Sequence, residues 1–203
     1  MRLDLRFTNR PLEELWCQAV VLLSFRIQDK MRPTLDSIDK KMTGSIRNIV
    51  QSGIWSGERG DKLLFATQNS IKADKLLIHG MGDESMYSID VLKREIDNAG
   101  NALLKMGVSE FGFQIPDSPE KESEFDKYIE AAIKSLAAVY LSKYKDIPDF
   151  ILKIYISIPK DYLKPVEMVT DRLRKHFSSL TELSIILDRG PNYQLAGVSE
   201  LAA

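Results

Sequence analysis

The chain has 203 residues, 44% of them hydrophobic and 28% charged. That is enough apolar material for the core of one large domain and excludes a disordered chain. Lys and Arg total 28 against 29 Asp and Glu, a net charge of -1; this argues against general nucleic-acid coating, which needs a basic face to displace counterions from phosphate.

The first elements follow in order. Leu3, Leu5 and Phe7 alternate with Asp4, Arg6 and Thr8, a period of two that predicts a half-buried strand near a sheet edge, ended by Arg10-Pro11. Cys17 is the single cysteine, so no internal disulfide forms. Ala19 to Phe25 (AVVLLSF) is a continuous apolar run, the pattern of a central strand covered on both faces. Pro33 opens a helical stretch with Leu35, Ile38 and Met42, which Gly44 interrupts and Ile46, Ile49 and Val50 resume. Ser56 to Lys62 is a polar turn, and Leu63 to Ala66 and Lys75 to His79 read as strands, the second closed by Gly80-Met81-Gly82.

Ser88 is placed to cap a helix whose apolar face is Ile89, Leu92, Ile96, Ala99, Leu103 and Met106, with Gly107 at the left-handed C-cap position. Glu110 to Ile115 reads as a strand stopped by Pro116, and residues 117–124 as a polar loop. A long helix follows with Ile129, Ile133, Leu136 and Tyr140 on one face. Phe150 to Ile158 is a strand ending at Pro159, Tyr162 to Phe177 a helix, and Leu183 to Leu187 a last strand. Strands alternating with helices of crossover length predict an α/β fold, a mixed and mostly parallel sheet with helices on both faces. The expected division is one domain over 1–187 and a tail over 188–203. No apolar run approaches the roughly 20 residues of a membrane helix, and the charge-studded start lacks a signal-peptide core. A cytoplasmic protein without membrane contact is therefore expected.

The stretch from Val20 to Asp83 carries a resemblance. It reads VVLLSF, then LDSIDKKMTGSIRNIVQSGIWSGERGDKLLF, then ADKLLIHGMGDE. The pairs Leu35-Asp36 or Ile38-Asp39, then Gly44, the glycines Gly53, Gly57 and Gly60, and the segment Leu76 to Gly82 resemble the N-terminal domain of the leucyl (cytosol) aminopeptidases, peptidase family M17. The later order of helix, strand, helix and strand ending in Pro159 agrees with it. The resemblance implies a three-layer fold similar to macro domains, which bind ADP-ribose; the strand at 183–187 goes beyond the family pattern. It also implies that the two-metal chemistry belongs to a separate C-terminal domain with the signature Asn-Thr-Asp-Ala-Glu-Gly-Arg. That string does not occur here, so no catalytic residue, metal ligand or cofactor is expected in this chain.

The candidate ligand site is Gly80, Met81, Gly82 and Asp83 with Pro116 and Pro159. Open α/β sheets bind ligands beyond the carboxyl ends of their strands, and glycines there let backbone N–H groups approach an anion. The plainer reading of Gly80 to Asp83 is a tight strand-to-helix turn. His79, at a buried strand end, reads as a hydrogen-bonded structural histidine. His176, beside Arg172, Arg174 and Lys175, reads as a solvated helix C-terminus or a phosphate-binding patch. Cys17, next to Trp16, reads as a buried spectator thiol, Trp55 as a turn anchor or an interface residue, and Asp29, Asp36 and Asp39 as helix-start and surface carboxylates. The functions weighed are, in order, a non-catalytic interaction or assembly domain that forms a homo-oligomer or docks on a protein partner; a module binding a nucleotide or ADP-ribose-like ligand; and DNA binding, disfavoured by the charge. A hydrolase comes last, for want of a nucleophile–base pair. A fragment of a full-length metal-dependent aminopeptidase is the further alternative.

Overall fold

The computed structural model describes residues 1–188 except 29, 117, 119–122 and 160–162, and for 163–165 the backbone alone. The strands are β1 (Arg2–Thr8), β2 (Ala19–Phe25), β3 (Lys62–Ala66), β4 (Lys75–Gly82), β5 (Glu110–Gln114), β6 (Ile151–Ser157) and β7 (Glu182–Asp188). The helices are α1 (Pro33–Lys41), α2 (Ser45–Gln51), α3 (Ile89–Lys105), α4 (Phe125–Tyr144) and α5 (Leu163–Phe177). The seven strands form one sheet in the order β3-β4-β2-β5-β6-β1-β7. Every neighbouring pair is parallel except β3 with β4.

Alternation along each strand divides the core in two. Leu3, Leu5 and Phe7, Val21 and Leu23, and Ile154 and Ile156 pack under α3, α4 and α5. On the opposite face Val20, Leu22, Leu76 and Ile78 meet Leu35, Ile38 and Ile46 of α1 and α2, with Trp55 among them. This is the expected three-layer arrangement, and Trp55, 3% exposed, is an anchor in the smaller core. The helix ends follow their sequence signals. Ser88 accepts from Val91 N–H at 3.3 Å. Val108 N–H returns to Leu103 C=O at 3.1 Å around Gly107, the Schellman ending. Asp39 of α1 caps α2, accepting from the N–H groups of Ile46 and Arg47 at 2.9 and 3.1 Å.

Three expectations about the elements change. β1 is not half-buried: it lies between β6 and β7, and its polar Asp4 and Thr8 are buried as well as its leucines. β4 does not stop at His79 but continues through Gly82, because the backbone of the 56–61 turn pairs with it. β7 joins the sheet parallel to β1, and Asp188 is its last residue; residues 189–203 of the expected tail lie outside the described residues. Tyr162 also lies outside them, and α5 runs from Leu163.

Candidate functional site

The connections fix where a ligand would meet this sheet. From the carboxyl end of β2 the chain turns toward β4, through α1 and α2 on one face. From the end of β5 it turns the other way toward β6, through α4 on the other face. The crevice between β2 and β5 is therefore the topological switch point. Their pairing ends at Leu22 with Gln114, and beyond it a cavity of about 30 Å³ opens between Leu23, Ser24, Gln114 and Pro116, with Arg32 at its rim. That is space for a water or two, not for a nucleotide.

The glycines beside this crevice are already occupied. Gly80 N–H donates to Asp61 C=O at 2.8 Å and Gly82 N–H to Gly57 C=O at 3.0 Å, while Gly80 C=O accepts from Gly60 N–H at 3.0 Å. Met81 is fully buried. A Cβ on Gly80 would lie 2.0 Å from Glu58 C=O, so glycine here serves the close approach of the chain's own turn. Of the expected residues, Pro116 borders the cavity and Asp83 a second depression; Pro159 follows β6, two strands from β2.

That second depression, about 270 Å³, is polar and lies beyond β2 and β4. Arg26, Lys30 and Arg32 meet Asp83 and Glu84 around it. Arg26 bonds Glu58 at 3.1 Å and lies 4.0 Å from Asp83. Arg32 is ion-paired with Glu84 and stacks over Phe25 at 4.9 Å. Ser85 donates its N–H and hydroxyl to Asp83, holding that carboxyl below its usual range. Sequence patterns did not single out Arg26, Lys30, Arg32 or Glu84, since the first three lie in the irregular connection between β2 and α1 and Glu84 in a short 3-10 turn after β4. The signal available was position: Arg26 is the first residue past a central strand.

The remaining candidates fall into structural roles. His79 and Glu95 form a fully buried pair, Nε2 to Oε2 at 2.9 Å. Burial pushes the Cys17 thiol up to about 12, and its Sγ lies 3.1 Å from Ala19 C=O; at neutral pH it is a thiol, not a nucleophile. Asp36 bonds Lys40 and Arg47, each at 2.7 Å, and Asp39 is the cap of α2; Asp29 lies outside the described residues. His176 is exposed at the end of α5, but its neighbour Arg172 is held by Glu130 and Asp126 at 2.5 and 2.9 Å. Among the described residues no group of three or more His, Cys, Asp or Glu is placed to hold a metal ion, and no helix is long and apolar enough to cross a membrane.

The N-terminal domain of the cytosol aminopeptidase family matches this chain over residues 21–146. The chain belongs to the cytosol aminopeptidase family. A probable cytosol aminopeptidase of Sulfurihydrogenibium sp. (strain YO3AOP1) is 28% identical over 92 residues, covering 45% of this chain and 18% of the relative. The chain spans about a fifth of the length of the curated relatives it matches. Among solved structures, a mutant of tomato leucine aminopeptidase superposes with a TM-score of 0.63 at 10% identity, over 83% of this chain and 35% of that one. A Trypanosoma brucei macrodomain in complex with ADP-ribose gives 0.61 at 13% identity, over 81% and 68%. At these identities the likeness is one of fold: the family's N-terminal domain here is macrodomain-like.

Proposed function

We propose that this domain of the cytosol aminopeptidase family acts as a non-catalytic assembly domain, and that a copy of itself is its partner. The observation that supports it best is the closed end of the sheet. The Gly80 and Gly82 amides are answered by Asp61 and Gly57, and the switch-point cavity holds about 30 Å³, so the switch point itself has no room for a nucleotide. Light scattering after size exclusion is expected to give a dimer or larger species at roughly 100 µM chain, above the micromolar affinities that interfaces of standard size reach. A monomer across the whole concentration range overturns the reading.

The polar depression favours a second reading, a site for a nucleotide or ADP-ribose-like anion. Its volume of about 270 Å³ lies near the lower end of ligand pockets, and Arg26, Lys30 and Arg32 line it beside Asp83 and Glu84, with Glu58 bonded to Arg26. A ligand at about 100 times its dissociation constant adds about 2.7 kcal/mol, a rise of roughly 5–10 °C in melting temperature for a chain of this size. Thermal shift with ADP and ADP-ribose reads this directly, and Lys30→Glu is expected to remove the rise. A flat response to both compounds ends this second reading.

A further inference from the structure

Among the described residues the sheet has two open edges, β3 and β7. Among those residues β3 pairs only with β4, over Lys62 to Ala66. Two bonds fix which of its backbone groups face inward: Gly80 N–H donates to Asp61 C=O at 2.8 Å, and Thr67 N–H to Asp74 C=O at 3.1 Å. Bonded and non-bonded pairs alternate along an antiparallel ladder, so Leu63 and Phe65 exchange bonds with Ile78 and Leu76. Lys62, Leu64 and Ala66 then turn their N–H and C=O groups outward. The same three residues are exposed, Leu64 at 54%.

An open, apolar edge is a template for another strand, and this one fits itself. With two copies antiparallel about Leu64, Lys62 lies opposite Ala66 and Leu64 opposite Leu64, so all three outward residues of each strand find partners. Lys62 then faces the uncharged Ala66, and no like charges oppose within the paired strands. Lys62, whose position would otherwise guard the edge, turns its Nζ back to Gly60 C=O at 3.1 Å. β7 lacks this fit: full antiparallel overlap of two copies sets Glu182 against Asp188, a like-charge pair at both ends.

We propose that two copies of this chain associate through β3, extending the sheet across a two-fold axis into one continuous sheet. The proposal rests on the assembly reading and narrows it to one edge and one partner. Leu64→Lys and Leu64→Glu each place like charges opposite one another at the axis. Each variant alone is expected to dimerise at least about tenfold more weakly than the native chain, since such a juxtaposition costs several kcal/mol. An equimolar mixture restores the dimer, because Lys then faces Glu. Thermal melts of each variant check that it folds. In the native chain, amide exchange at Lys62, Leu64 and Ala66 is expected to slow as concentration rises, a readout that needs no variant. If the native chain is dimeric while both variants dimerise unchanged, or those three amides exchange at the same rate at all concentrations, the β3 edge is wrong and the assembly reading survives. A native monomer overturns both. Monomeric variants whose mixture stays monomeric refute the two-fold register.

Discussion

Gly80→Ala is expected to cost about 3 kcal/mol of stability and to lower the melting temperature by about 6–12 °C. The added Cβ would stand 2.0 Å from Glu58 C=O and 2.8 Å from the carbonyl carbon of Gly57. Both obstacles are backbone, so no side chain can swing aside to relieve them. The 56–61 turn must instead lift off β4, which strains the bonds from Gly80 and Gly82 to Asp61 and Gly57. Gly107→Ala is the comparison. Its Cβ would meet nothing within 4 Å, but φ is +69°, so it pays only the left-handed backbone cost of about 1 kcal/mol. Equal losses for the two variants in urea melts would show that the turn does not clamp the strand.

Acid is expected to weaken the protein well above the range in which surface carboxylates titrate, and His79 is the cause. Its ring is fully buried, with Nε2 on Glu95 at 2.9 Å and Nδ1 without a partner among the described residues. Burial, helped by the charge of Lys62, outweighs the bond to Glu95 and holds the imidazole below its ordinary 6.5. Burial pushes the Glu95 carboxyl up, but the bonds from His79, Asn98 and Arg94 outweigh it and leave it below its ordinary 4.5.

A histidine whose folded value is lowered stays neutral in the fold while the unfolded chain takes up a proton. Stability therefore falls as pH drops from about 6.5 toward the folded value, by at most about 1.4 kcal/mol per pH unit for one group. Glu95 adds its own loss below its ordinary 4.5, in the same direction. Urea melts at about pH 7.5 and about pH 5.5 measure the first window. His79→Gln keeps an N–H donor for Glu95 but does not titrate, so its stability should change less between those two values. The same slope in both proteins would mean that other groups set the acid response.

Much of the fold was legible because its signals are local. The run Ala19 to Phe25 is apolar at every residue but Ser24, the pattern of a strand covered on both faces, and β2 has helices above and below it. Ser88 and Gly107 bracket α3 because capping depends on a few neighbouring dihedrals and one or two bonds. The candidate site was legible only in its location. Asp83 and Pro116 were placed at strand ends by position in the chain, whereas Arg26, Lys30 and Arg32, from the connection between β2 and α1, meet Glu84, from the turn after β4, only in the fold.

The sequence by itself determined the alternation of strands and helices, the family, and the want of the aminopeptidase signature among these residues. Each of these is written in neighbouring residues, through side-chain period, caps and motif strings. Only the tertiary structure decided that β1 is an inner strand, that β7 completes the sheet beside it, and that Gly80 and Gly82 answer a turn rather than an anion. These depend on which backbone groups meet across tens of residues. A glycine has no side chain to announce its partner, and an edge strand differs from an inner one only by what packs beside it.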